Sequence, residues 1–384
     1  MANSMIHPTI RRKFFITSSF AAMLAAANFI GVTHAAAEVQ NRVFVYANPV
    51  AESDVQGFAE TARPFIEAVE AASDGKITFN VTHGGGLLSH SDMMDGVGNG
   101  LADMGSTQLS VDPSAFPMWS LSGIHDPVVG TRLSAYEETM VTRLMMDAVP
   151  SLAEELGRAN LHMLFAIASP AHNLIMAKPI TGLADLKGLQ IRTYGSYMPK
   201  LFEAIGATPV NISPDELYTA LDRGVVDGAY TQASYLRDIG AHEVTKQWMY
   251  VGEGTTPPLT VGYHSTINLD VWEGLSNETK GILMTAARDA EKHFSKDFIS
   301  KDLNAAVEFF RDYGLSITEM SEEDRAEWSS RAPDMFGEFA EELDSQGLPG
   351  TKLVENYLKF TKMPGEEIEK RYNELWDRMI AQYK

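Results

Sequence analysis

Cysteine is absent from the 384-residue chain, which excludes disulfides, a thiolate metal site and a lipid-anchored cysteine behind an export signal. Basic residues are also few. The 31 lysines and arginines face 51 aspartates and glutamates, a formal charge of −20. A nucleic-acid partner needs a basic surface to displace counterions, so that class is disfavoured. Several catalytic signatures are missing as well. No Gly-x-Ser-x-Gly elbow, no His-Glu-x-x-His pair and no phosphate loop ending in Gly-Lys-Ser/Thr occurs, and the ten histidines are scattered. His83-Gly-Gly-Gly86 reads as a glycine turn. Gly96-Val-Gly-Asn-Gly100 lacks dinucleotide-binding spacing and sits where a helix should end. No low-complexity tract interrupts the rest of the chain, whose 45% hydrophobic and 21% charged residues suit a folded globular protein.

Long apolar runs are confined to the start. Arg11, Arg12 and Lys13 precede an apolar stretch from Phe14 to Val32, and small residues close it at Ala35, Ala36 and Ala37. This is the pattern of a secretory signal cleaved near Ala37, and the paired arginines also fit a twin-arginine variant. Cleavage would leave 28 basic against 51 acidic residues, about −23. Any small anionic ligand then needs a local cation to overcome the overall field.

The length favours two lobes over one core. Arg42 to Asn48 reads as a strand, Gln56 to Ser73 as an amphipathic helix and Lys76 to Thr82 as a second strand. Ser91 to Gly100 then reads as a helix, and Leu101 to Gly105 as a short buried strand. These are the alternating units of an α/β domain. The pattern returns 124 residues later. Gly100-Leu-Ala-Asp-Met-Gly-Ser-Thr-Gln108 and Gly224-Val-Val-Asp-Gly-Ala-Tyr-Thr-Gln232 share Gly, Asp, Thr and Gln at the same offsets. A capping box, Ser213-Pro-Asp-Glu216, opens the helix before the second copy. Beyond Ser276 the chain is strongly helical, over 280–297, 301–312, 322–345 and 365–383, with Gly347-Leu-Pro-Gly350 as a break. These helices are expected to brace the lobes, the last packing on its own protein.

Arg192 closes the alternating segment Leu189-Gln-Ile-Arg192. At the carboxyl end of a strand in an α/β lobe, a planar guanidinium can grip a ligand carboxylate with two parallel hydrogen bonds, or can pair with a nearby Asp or Glu of the chain. Position alone leaves both readings open.

Asp185-Leu-Lys-Gly-Leu-Gln-Ile-Arg192, Gly206-Ala-Thr-Pro-Val210, Glu216-Leu-Tyr218, Ala220-Leu221 and Gly224-Val-Val-Asp-Gly228 together resemble the solute-binding proteins of TRAP transporters, the DctP-type family. Gly84-Gly-Gly-Leu87 and Gly100-x-x-Asp103 extend the resemblance to the first lobe. It implies an α/β fold of the two-lobed periplasmic binding protein plan, type II-like, with a hinge and a helical C-terminal region. The expected division is a signal peptide over 1–37, lobe 1 over 38–165 with about 256–295, and lobe 2 over 166–255 with about 296–384. It also implies a receptor that is not membrane-embedded, closes on a small organic acid and delivers it to membrane permease subunits driven by a sodium gradient.

In the family the arginine at the position of Arg192 grips the ligand carboxylate. A polar residue at the position of Thr231, with Gln232 beside it, supports it, and Thr107 and Gln108 would face them across the cleft. Where some members carry a second arginine, this chain has Ser169-Pro-Ala-His172-Asn173. His172 is mostly neutral near pH 7, which favours a monocarboxylate or single sulfonate over a dicarboxylate. Alternatively His172 is a loop residue facing water. Tyr194, Tyr230 and Trp119 are candidates for pocket walls or for ordinary core, and would suit a ligand with an apolar or aromatic portion. No cofactor, metal or catalytic residue is expected, although Glu253 could hold a cation or face solvent. An exported enzyme acting on a small acidic substrate and a ligand-presenting sensor subunit are the alternatives.

Overall fold

The computed structural model describes residues 39–109, 112–124, 133–213, 216–251, 259 and 263–384. The export segment, Glu253, and Pro214 and Asp215 of the expected capping box lie outside them. Of that box, Ser213 donates to the Glu216 carboxylate at 2.9 Å.

Among the described residues eleven strands form two sheets: β1 (Arg42–Ala47), β2 (Ile77–Thr82), β3 (Met104–Thr107), β4 (Leu161–Ala166), β5 (Asn173–Met176), β6 (Gln190–Thr193), β7 (Thr208–Asn211), β8 (Gly228–Thr231), β9 (Gln247–Tyr250), β10 (His264–Asn268) and β11 (Ser316–Glu319). Lobe 1 has the order β2-β1-β3-β10-β4 and lobe 2 the order β11-β9-β5-β8-β6-β7. Read from opposite ends, the two orders correspond over five strands, and lobe 2 adds β11 at its edge. In lobe 1, β1 lies parallel to β2 and β3, and the late strand β10 inserts antiparallel between β3 and β4. In lobe 2, β6 lies parallel to β7 and β8, and β5 inserts antiparallel between β8 and β9. The chain therefore crosses from one lobe to the other after β4, again between β9 and β10, and a third time between β10 and β11.

The nine-residue repeat is a structural repeat. Gly100 and Gly224 both have positive φ, +77° and +67°, at the turn from helix into strand, a conformation that favours glycine. Asp103 and Asp227 then do one job in each lobe. The backbone N–H of Asp103 donates to Val45 O and its carboxylate accepts from Val45 N at 2.8 Å; Asp227 N donates to Gln190 O and its carboxylate accepts from Gln190 N at 2.9 Å. Each aspartate thus extends the pairing of the central parallel strands by one residue, satisfying backbone groups where the ladder begins.

The C-terminal third departs from the expected division in two ways. The run read as 322–345 is two helices, Glu322–Arg331 and Met335–Ser345, broken at Pro333, which cannot continue a helix. A further helix, Gly350–Phe360, follows the break, with Leu353, Val354, Tyr357 and Phe360 buried at helical spacing. The helices of the segment expected with lobe 2, about 296–384, divide in their packing. Ile299–Tyr313 and β11 belong to lobe 2. Glu322–Arg331 and Met335–Ser345 pack there too, where Trp328 donates its indole N–H to Leu201 O and Tyr197 stacks edge-on with Phe339. Gly350–Phe360 packs on Met335–Ser345 and also on the helix Ala135–Ala148 of lobe 1, where Gly365–Ala381 packs as well. The terminal helices consequently run as a brace from lobe 2 back to lobe 1.

A buried ion pair anchors that brace beside the first crossover. Arg143 Nη2 lies 2.5 Å from Glu291, whose carboxylate also accepts from Ala166 N, Tyr372 Oη and Trp376 Nε1. Among the described residues no helix is long and apolar enough to cross a membrane.

Candidate functional site

The parallel strands of both sheets point their carboxyl ends toward the crossovers, the position where α/β sheets bind ligands. Arg192 lies there. It pairs with Ala229 of β8, and since Ala229 corresponds to Gly105 in the repeat, the matching residue of lobe 1 is Ala47. One lobe contributes a cation and the other a methyl group at the same place in the fold.

Arg192 is 3% exposed, as is Arg143, and the two differ in their described partners. Arg143 has its carboxylate, Glu291. Among the described residues Arg192 has no carboxylate within ion-pair distance. Its Nε donates to Ile212 O at 3.1 Å and its guanidinium lies 4.9 Å from the centroid of the Tyr194 ring. Burial lowers its pKa from the ordinary arginine value, opposed by Tyr194 and Tyr235. A buried, hydrogen-bonded but unneutralised guanidinium is costly in isolation and favours an incoming anion.

His172 is 1% exposed, so the reading as a water-facing loop histidine is corrected. Its Nε2 lies 2.8 Å from Tyr194 Oη, and its ring packs on Tyr194 and Tyr230 at centroid distances of 6.0 and 5.7 Å. Burial, and secondarily the charge of Arg192, lowers its pKa to about 3. The imidazole is therefore neutral at physiological pH and adds no second cation. Burial raises the Tyr194 phenol, with Arg192 opposing. Tyr230 is wholly buried, stacked edge-on with Phe202, and supports the His172–Tyr194 layer from beneath. Thr231 ends β8 opposite Asn173, whose side-chain carbonyl accepts from Val251 N at the second crossover.

The remaining expected residues divide. Thr107 is buried with its hydroxyl donating to His264 O, and Gln108 follows it, half-buried. Gln232 donates from Nε2 to the Ser169 hydroxyl in the first crossover, while its Oε1 accepts from Gln56 Nε2 of lobe 1 at 2.8 Å. Trp119, expected as a pocket wall or as ordinary core, packs in the core. It is 1% exposed within lobe 1, with its indole N–H on Leu152 O and its ring edge-on to His264, because its large apolar surface fills that lobe's interior.

Gln56 was not anticipated. The helix read from Gln56 to Ser73 is in fact a π-helical turn, Val55–Ala59, followed by Ala62–Ala72. Its i→i+5 hydrogen bonds, Ala59 N to Asp54 O and Glu60 N to Val55 O, present Gln56 to lobe 2. Apolar periodicity does not distinguish that geometry from an ordinary helix start. Among the described residues no cluster of His, Asp and Glu suited to a metal occurs.

The comparisons with known proteins agree with this architecture. The family model described as bacterial extracellular solute-binding protein, family 7 (DctP), matches residues 47–342. The ectoine-binding periplasmic protein TeaA of Halomonas elongata is 24% identical over 318 residues, covering 79% of this chain and 86% of that one. Among solved structures, a marine metagenome TRAP solute-binding protein specific for aromatic acid ligands, in complex with metahydroxyphenylacetate, superposes with a TM-score of 0.71 at 21% identity, over 84% of this chain and 98% of its own. DctP7 of Bordetella pertussis, an extracytoplasmic solute receptor binding pyroglutamic acid, gives 0.69 at 19% identity, over 82% and 99%.

Proposed function

Because the chain belongs to family 7 of the bacterial extracellular solute-binding proteins, we propose that it is the exported receptor of a TRAP transporter, binding a small organic acid with one carboxylate between its lobes. The observation that carries this reading is Arg192, a buried guanidinium at a strand end with no described carboxylate in reach, at the position to which the sequence resemblance assigns a ligand-gripping arginine.

The chemistry follows from the surroundings. Arg192 takes the carboxylate through two parallel charge-assisted hydrogen bonds, strengthened in a water-poor cleft. Tyr194 lies against the guanidinium and is held by neutral His172, so a second carboxylate of the ligand placed at His172 would meet no cation there. A monocarboxylate, with the flat face of Tyr194 favouring an apolar or aromatic portion, fits better than a dicarboxylate. Thr231 supplies a polar group beside the anchor. The names of the similar proteins, which include pyroglutamic and aromatic acid binders, support this direction. Ligand that touches both lobes stabilises the closed state by its differential affinity for closed over open. The receptor is cleaved near Ala37, works outside the cytoplasmic membrane and hands unaltered ligand to permease subunits.

The test is thermal unfolding of wild-type protein across a panel of mono- and dicarboxylic acids. Ligand at a hundredfold its dissociation constant adds about 2.7 kcal/mol, so binders stand out. Monocarboxylates should raise the melting temperature, and the rise should vanish in Arg192→Met. A panel in which only dicarboxylates act contradicts the single-anchor reading.

A further inference from the structure

Gln232 was expected to meet ligand, yet its amide is engaged at both ends by protein. Gln56 of lobe 1 donates from Nε2 to Gln232 Oε1 at 2.8 Å and to Ser234 Oγ at 3.1 Å, both in lobe 2. Gln232 in turn donates to Ser169 Oγ in the first crossover. Three segments far apart in sequence, the π-helical turn after β1, the junction after β8 and the chain between the lobes, thus meet in one hydrogen-bonded line.

The lobe 1 end of this line is held firmly. Asp54 caps the turn by accepting from Gly57 N at 2.6 Å, Thr61 Oγ1 donates to Gln56 O, and Ser106 Oγ donates to Gly57 O. Gly57 admits no side chain, since a Cβ there would stand 2.3 Å from Val50 Cγ2. The receiving end is equally fixed, with Ser234 and Ser169 buried. Gln56 and Gln232 are only half-buried and carry no charge, so their hydrogen bonds form and break without stranding an ion.

We propose that Gln56, Gln232 and Ser234 form an interlobe latch, positioning residues that set the balance between closed and open states and retain ligand without touching it. The inference rests on the receptor reading above in that closure is what retains a ligand. It differs from that reading in making closure partly independent of any ligand.

The absence of cysteine makes the test direct. Glu67→Cys on lobe 1 and Asp222→Cys on lobe 2 are both at exposed positions and would be the only thiols. Spin labels on this pair report the interlobe distance by pulsed electron resonance in protein refolded from denaturant to free it of co-purified solute. Gln56→Leu and Gln232→Leu should each reduce the closed-to-open ratio about tenfold, the weight of one to two net hydrogen bonds. Ser234→Ala should do so about threefold, and the double Gln56→Leu/Gln232→Leu no more than Gln56→Leu alone, which already removes both bonds from Gln56. Distance distributions unchanged in both Gln→Leu variants, or effects that add in the double variant, would overturn the latch. The acid panel distinguishes this from failure of the receptor reading: Gln56→Leu keeps Arg192 and should still show acid-dependent stabilisation, whereas absence of any acid effect in wild type strikes the receptor reading alone.

Discussion

Replacing each of the two buried arginines by methionine separates a binding group from a structural one. In Arg143→Met, Glu291 keeps its bonds from Ala166 N, Tyr372 and Trp376 but loses its counter-charge in a fully buried site. Leaving one partner of a buried pair alone costs about 3–5 kcal/mol. In Arg192→Met the balance reverses. The lost Ile212 hydrogen bond and Tyr194 contact are worth about 1–2 kcal/mol together. Against them stands the relief of a desolvation penalty that no described carboxylate offsets, of similar or larger size. The ligand-free Arg192→Met protein should therefore unfold in urea within about 1 kcal/mol of wild type, or later than it. Its affinity for the acid should fall sharply, since two charge-assisted hydrogen bonds at about 1.5–3 kcal/mol each amount to a hundredfold to ten-thousandfold. The assay is urea unfolding of both variants with and without the acids that stabilise wild type. If Arg192→Met loses as much ligand-free stability as Arg143→Met, Arg192 is a structural partner and the reasoning fails.

Further outcomes follow from the same structure. Burial first, and Arg192 second, lowers His172 from 6.5 to about 3, so the unfolded chain takes up this proton earlier than the native state, and stability falls as pH drops below about 6.5. His172→Gln should recover about 2 kcal/mol of the loss between pH 6.5 and 5, seen in urea titrations at the two pH values. Glu138 moves oppositely. Burial raises it from 4.5 to about 8, where it accepts from Leu259 N and Tyr357 Oη, so the native state holds the proton and stability declines as pH rises from 4.5 to 8. Glu138→Gln should stabilise the protein at pH 8 and have little effect at pH 4.5. Gly100→Ala and Gly224→Ala place a Cβ in open space at positive φ, so each should cost about 1 kcal/mol through backbone conformation alone, and by similar amounts. Unequal costs would argue against equivalence of the two turns.

Local patterns carried the repeat and the cationic strand end, and the structure shows why. A positive-φ glycine, an aspartate bonded to the neighbouring strand and a central β-strand are short-range requirements, so they leave the same residues at the same offsets in both lobes. Long-range placement left less trace. Nothing in the His264–Asn268 segment announces that it inserts between β3 and β4, strands laid down about a hundred residues or more earlier. Trp119 and Tyr230 have similar aromatic surfaces, and only packing sends one into lobe 1 and the other beneath His172. Gln56 was hidden by a wide turn that preserves helical periodicity, and the burial of His172 by tyrosines distant in sequence. The helix Gly350–Phe360 did carry an amphipathic pattern, overshadowed by the glycines and proline just before it.

The central claim is that Arg192 holds the carboxylate of a monocarboxylic acid between the lobes. A crystal structure of the protein with the acid that stabilises it most tests this directly. The account predicts both carboxylate oxygens about 2.8 Å from guanidinium nitrogens of Arg192, with His172 bonded to Tyr194 as described above. An acid group bound away from Arg192, or an Asp or Glu of the chain occupying that guanidinium while ligand is present, would contradict it.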